Sequence, residues 1–393
     1  MRMRASYLPY ARQWIDDRDI EAVTKILKGD YLTTGPLVPE LESKMARIVG
    51  ARYAVAFANG TAALHAACCA AGIGEGDEVI TSPMTFAASA NCVLYQNGTP
   101  VFADIDDRTY NLDPAEVEKL VTDRTKAIIA VDFTGQPANL AALRRIASER
   151  GLVLIEDAAH ALGASYRGEK VGSISDMTMF SLHPVKHVTS GEGGIITTDN
   201  EDHWRKLIRF RSHGIVRDLD QLERVRPGAW YYEMQELGYN YRLTDFQAAL
   251  AVSQLGKLDR FVERRREIAG RYNEAFRDME EVILPYQDGE GESSWHLYVV
   301  QLRLDRLRLG RDEIFERMHA ENIGVNLHYI PVYLHPYYRR LGYEPGLCPN
   351  AELFYERVMT LPLFPAMTDE DIEDVIHAFR KVVGECVRER VAK

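Results

Sequence analysis

Short apolar runs recur through the first half of the chain, at Tyr53 to Ala58, Glu78 to Thr81, Pro100 to Ile105, Ala127 to Phe133 and Leu152 to Asp157. Helical segments separate them, so strand and helix alternate. That alternation predicts a mostly parallel sheet with helices on both faces. Two further β-rich runs, Met177 to Leu182 and Gly193 to Thr198, flank a turn-rich segment containing Pro184, Ser190, Gly191, Gly193 and Gly194. This reads as strand, loop, strand. The sheet then has about seven strands, the last reached by a short loop and therefore antiparallel. The run ending in Glu156 and Asp157 is apolar throughout, as a buried parallel strand would be. Ligands of such sheets sit beyond the carboxyl ends of the strands, where Asp157 and the loop carrying Lys186 converge.

The flanks follow other periods. Ile15, Ile20, Val23, Ile26 and Leu27 have near-helical spacing closed by Gly29, and follow a polar N-terminal arm. Leu32-Thr-Thr-Gly-Pro36 is a turn before a helix from Val38 to Val49. A helix over Asp202 to Gly214 and a polar loop over Asp218 to Gly238 precede one long helix from Phe246 to Phe276, with a break at Gly256 as the alternative. Trp295 to Leu302 and Val325 to Ile330 read as strands, Arg311 to Asn322 and Thr368 to Val383 as helices. These imply a large domain over 1–250, including the arm, and a smaller C-terminal α+β domain over 251–393.

A chain of 393 residues, 46% hydrophobic and 27% charged, has material for a sizeable core. Its net charge of −11, with no long basic run, argues against a nucleic-acid surface. No apolar run approaches the roughly 18 residues of a membrane span. The five cysteines (Cys68, Cys69, Cys92, Cys348, Cys386) show no metal spacing and fit a reducing cytoplasm. His183 and His187 flank Lys186, but Pro184 between them argues against a zinc helix, and no metal site is expected.

A loop lysine is most often a solvated amine, but one facing a strand-end carboxylate suits pyridoxal phosphate (PLP). The amine can form a Schiff base, and the carboxylate can keep the ring nitrogen protonated. Asn59-Gly60-Thr61-Ala62 opens a helix whose free N–H groups could hold a phosphate, although an ordinary capped turn reads the same way. The ordered motifs Glu156-Asp-Ala-Ala-His160-Ala161, Ser181-Leu-His-Pro-Val-Lys186 and Gly191-Glu-Gly-Gly194 resemble those of the DegT/DnrJ group of fold-type I aminotransferases, which act on nucleotide-linked keto sugars. The resemblance covers almost the whole chain. It implies PLP, with pyridoxamine phosphate (PMP) as its aminated form, held by Lys186, Asp157, Gly60, Thr61, Ala62, Ser181, Phe86 stacking on the ring and His160 at its phenolic oxygen. It also implies a homodimer with shared active sites, in which Asn240, from Gly238-Tyr-Asn-Tyr-Arg242, reaches the partner's cofactor phosphate.

Within that group, Pro9-Tyr-Ala-Arg-Gln13, the turn 32–36 and the His-Pro-Val-Lys loop are most similar to the branch serving pseudaminic acid biosynthesis. This implies glutamate as donor and a UDP-linked 4-keto-6-deoxy sugar as acceptor, with a 4-amino sugar as product. Arg211, His213 and Arg242 are the candidate cations for the diphosphate, Tyr7, Tyr329 and Tyr333 could cover the hexose, and Thr33 and Thr34 could bond its hydroxyls. Two alternatives remain: another nucleotide 3- or 4-keto sugar as acceptor, or a non-catalytic regulatory protein of the same fold. The related dehydratases carry histidine in place of the lysine, which Lys186 argues against.

Overall fold

In a computed structural model describing residues 4–388, strands β1 (Tyr53–Phe57), β2 (Glu78–Thr81), β3 (Thr99–Phe102), β4 (Thr125–Val131), β5 (Val153–Asp157), β6 (Met177–Ser181) and β7 (Gly194–Thr198) form one seven-stranded sheet. Its order is β1-β7-β6-β5-β4-β2-β3. The pairs among β2 to β6 are parallel, whereas β7 runs antiparallel to both β6 and β1. The connection over 182–193 contains no helix to carry a crossover, and β7 returns antiparallel as the sequence pattern predicts.

Both faces of the sheet are buried because alternate residues serve opposite cores. Ala54, Ala56, Phe180 and Ile195 pack with α2 (Leu37–Val49), α8 (Asp245–Leu255) and the start of α9 (Leu258–Phe276). Val55, Phe57, Met179 and Ile196 pack with α3 (Gly60–Ala70), α4 (Ala88–Tyr95) and α7 (Glu201–Arg211). Between β3 and β5 the face of the first core is covered by α5 (Pro114–Leu120) and α6 (Leu140–Arg150), which pack on Ile80, Ile128, Ala130 and Leu154 in a cluster of their own.

The helix expected over Phe246–Phe276 is two helices, α8 and α9, separated at Gly256 and Lys257. α9 then spans both cores: Leu258 and Val262 pack on the large domain, and Ile268, Tyr272 and Phe276 on the small one. The small domain holds a three-stranded antiparallel sheet of β8 (Val282–Ile283), β9 (Tyr298–Leu302) and β10 (Val358–Leu361), in that order. It is covered by α10 (Arg311–Ala320) and α13 (Asp369–Glu385), the latter capped at Thr368.

Three expectations need correction. Val325–Ile330 is not a strand; only Asn326 bridges Thr360, and the Asn326 side chain accepts from Leu327 N at 2.8 Å, turning the backbone out of the ladder. Val325 packs in the small-domain core while Leu327 packs in a separate cluster with Phe133 and Tyr333, so the run crosses between cores. The N-terminal arm lies on the small domain: Leu8 pairs with Ile323, and Arg4 bridges Asp371 and Asp374 at 2.6 Å each. The loop expected over 218–238 contributes Glu233–Met234 to a two-stranded ladder with Ile215–Val216.

Candidate active site

Asp157 ends β5 and is 5% exposed. Its Oδ2 accepts from Ser89 Oγ at 2.6 Å and its Oδ1 from Ala159 N at 3.1 Å, and Thr85 Oγ1 meets Ser89 Oγ at 2.7 Å. Burial raises its pKa, while these bonds and the charge of Lys186 oppose the rise. Ser89 sits on α4 because β2 and α4 are consecutive. The sequence gives no sign of this pairing across 68 positions.

Lys186 approaches from the loop between β6 and β7, with Nζ 3.4 Å from His296 Nε2. Burial pulls its pKa down to about 8, Asp157 works against that, and Arg265 adds to it. Burial and the charge of Lys186 also depress the pKa values of His160, His187, His296 and His328. The His160 ring lies 4.4 Å from that of His296, tilted by 39° to it, and its Nε2 lies 3.2 Å from the Tyr329 hydroxyl. Its Nδ1 is buried without a partner among the described residues. His296 and Arg265 escape sequence reasoning because each looks like an ordinary member of a strand or helix.

At the other end, Asn59 caps α3 by accepting from Ala62 N at 2.8 Å, leaving the Gly60 and Thr61 amides at the helix start for an anion. Gly194 must be glycine: a Cβ there would stand 2.5 Å from Asn59 O and 2.8 Å from Gly60 Cα. That close approach brings Ser181, at the end of β6, beside the turn, with its Cβ 3.6 Å from where a Gly60 Cβ would lie. Phe86 is 64% exposed, with its ring 6.4 Å from that of Tyr329.

The remaining candidates divide. Thr34, His213 and Arg242 line one cavity of about 480 Å3 with Trp204, Arg205 and Arg209; neither Lys186 nor Asp157 lines it. Thr33 bridges Thr244, and the turn is fixed where Asp245 accepts from Gly35 N and Leu37 N at 2.8 and 3.0 Å. Asn240 is exposed and bridges Ser212. Tyr7 stacks on His319 at 5.9 Å, on the small domain. Two assignments are corrected. Arg211 is committed to Glu42, at 2.5 Å, and to Ala56 O, at 2.9 Å, so its charge is already paired inside the fold. Tyr333 is fully buried in an aromatic core and donates to Glu352 at 2.5 Å, leaving no face for a sugar.

The residues present fit PLP: a buried carboxylate for a ring nitrogen, an amine with a depressed pKa for an aldehyde, a capped helix start for a phosphate and an unpartnered imidazole nitrogen. A mixed sheet delivering these groups to one end defines a PLP-dependent aminotransferase of fold type I. The DegT/DnrJ/EryC1/StrS aminotransferase family profile matches residues 13–380, and the chain belongs to that family, whose members are PLP-dependent sugar aminotransferases. The Bacillus subtilis spore coat polysaccharide biosynthesis protein SpsC is 43% identical over 385 residues, covering 98% of this chain and 99% of SpsC. Helicobacter pylori PseC, an aminotransferase of pseudaminic acid biosynthesis, superposes with a TM-score of 0.90 at 29% identity, covering 97% of this chain and 100% of PseC. The putative sugar aminotransferase Spr1654 of Streptococcus pneumoniae, in its PMP form, gives a TM-score of 0.90 at 30% identity over 96% of this chain and 99% of that one.

Proposed function

We propose that this sugar aminotransferase moves the amino group of L-glutamate to a UDP-linked 4-keto-6-deoxy sugar, giving a 4-amino sugar for a pseudaminic-acid-type surface glycan, with Lys186 as its catalytic residue. The observation that carries the catalytic assignment is the Lys186 amine, held 3.4 Å from His296 Nε2 and pulled to about 8 within the field of Asp157. A neutral amine there takes the α-proton of the donor and, in the second half-reaction, delivers a proton to the sugar carbon that receives nitrogen. PLP, when bound, supplies the electron sink and carries the amino group between the two substrates. Asp157, fixed by Ser89 and Ala159, would hold the ring nitrogen, and the α3 start with Ser181 would take the phosphate.

The acceptor is read from the likeness to PseC together with the motifs at Pro9–Gln13, Leu32–Pro36 and His183–Lys186. The test is amination of a panel of nucleotide keto sugars by enzyme charged with glutamate, with products identified by mass and NMR. Much faster amination of a 3-keto or dTDP-linked sugar overturns the choice of acceptor. A second reading, another nucleotide keto sugar, is favoured by the 43% identity to SpsC, whose name places it in spore coat polysaccharide synthesis.

The working unit is proposed to be a homodimer with Asn240 of one chain completing the phosphate site of the other. In support, Ile20 and Leu27 on α1 (Asp17–Leu27) are each 58% exposed, and Trp230 and Leu237 lie open nearby in sequence to Asn240. A reducing cytoplasm is proposed on the strength of the five free cysteines.

A further inference from the structure

Arg265 lies on α9 at the junction of the two domains and is 1% exposed. Its hydrogen bonds go to carbonyls alone: Nη1 donates to His296 O and Leu363 O at 3.0 Å each and to Trp295 O at 3.3 Å. Burial alone lowers its pKa, to about 9, so the guanidinium stays charged at neutral pH with no carboxylate among the described residues to offset it. A buried unpaired cation is costly, and its retention calls for a use. Its nearest consequence is geometric. The carbonyl it grips belongs to His296, whose ring is held between His160 at 4.4 Å and His187 at 5.5 Å, with Nε2 on the Lys186 amine. His187 in turn is tied by Nε2 to Ser294 O at 3.1 Å, so residues 294–296 are clamped from two sides.

We propose that Arg265 and His296 are positioning residues for Lys186: the guanidinium fixes the 295–296 backbone, and the imidazole carried on that backbone aims the amine through its Nε2. This rests on the reading of Lys186 as the residue that holds the cofactor. The groups that face Lys186 are Asp157 on β5, Arg265 on α9, His187 on its own loop, and His160, His296 and His328 from three further segments. The four imidazoles stay neutral because burial and the neighbouring cations depress them. Asp157 is the one group that favours the ammonium, and Arg265 counters it. A lysine that must present a free electron pair near neutral pH needs that counterweight.

The two roles have separate signatures in cofactor-stripped enzyme. Competitive acetylation, read at the Lys186 peptide by mass spectrometry from neutral to alkaline pH, should titrate near 8 in the natural chain. R265M should raise that midpoint and so leave less neutral amine at pH 7. H296F should slow borohydride trapping of added PLP on Lys186 about tenfold or more at a pH above the midpoint, where amine charge no longer limits. H296Q, which keeps a side-chain hydrogen-bonding group, should recover most of the rate. A folded R265M chain with an unchanged midpoint, or an H296F chain that traps at the natural rate, overturns the proposal. Should neither R265M nor R265Q fold, the trapping rate of H296F decides alone. Trapping of PLP on a lysine other than Lys186 would instead refute the reading of Lys186.

Discussion

Lys186→Ala removes the amine that holds the cofactor and moves the proton, so turnover should fall by more than about 10³-fold. Borohydride should then trap no PLP on the chain, and near-normal turnover would refute the assignment. Asp157→Asn keeps an acceptor for Ser89 but removes the negative charge, so the fold should persist. Turnover should drop on the order of 10²-fold, as when one electrostatic partner of a reacting centre is lost. Thermal unfolding and steady-state rates measured together separate these effects. The pH dependence has a definite sign. Lys186 has a folded-state pKa below its ordinary value, so its ammonium destabilises the stripped enzyme below about 8, and that penalty disappears as pH rises toward the unfolded value. Denaturant midpoints of the natural and Lys186→Met chains should therefore converge as pH rises from about 8 toward 10.5.

Strand ends β4 and β5 place two more carboxylates behind Asp157. Asp132 and Glu156 are both fully buried, each in hydrogen-bonding contact with the other, and each leaves one oxygen, Oδ2 and Oε1, without a donor among the described residues. Burial raises both pKa values, and the pair is best satisfied by sharing a proton. The folded chain then binds more protons than the unfolded one, so stability falls as pH rises through the pair's folded pKa. Asp132→Asn supplies an N–H donor in place of the shared proton. Its stability relative to the natural chain should therefore rise with pH, by up to about 1.4 kcal/mol per unit. A parallel pH dependence in the two chains would show that no proton is shared. At the start of β7, Gly194→Ala drives a methyl into the Asn59 carbonyl and Gly60, both backbone. It should cost about 1–3 kcal/mol and weaken PLP affinity, which calorimetry and cofactor titration can check.

For the whole molecule, the shared-site proposal is tested by mixing Lys186→Ala chains with chains carrying Asn240→Ala. If each site draws on both chains, a mixed dimer has one site with both lesions and one with neither. Activity should then return to roughly a quarter of the natural level, since half the dimers are mixed at random exchange and one of their two sites is intact. No recovery despite demonstrated exchange would place Asn240 elsewhere. The exposed face of α1 belongs to the same question. Asp19 fastens that helix to α8 through Ser253 and Gln254 and to the break after it through Lys257, each at 2.6 Å, while Ile20 and Leu27 stay outside. Ile20→Glu should shift sedimentation toward monomer if this face meets a second copy.

Local period and turn chemistry sufficed for the seven strands, the antiparallel return of β7 and the capped start of α13, because each depends on neighbours a few residues away. The ordered motifs likewise brought Asp157, Lys186 and the Gly60 turn to one sheet end. Tertiary structure alone decided which polar groups meet. Ser89 on Asp157, His296 on Lys186 and Arg265 on the His296 carbonyl are contacts across 68, 110 and 31 positions. It also determined that Arg211 is paired with Glu42 across 169 positions, and that Tyr333 lies in a core, donating to Glu352. A cation or a phenol looks the same in sequence whether it faces a ligand or a buried carboxylate, and only packing around it distinguishes the two.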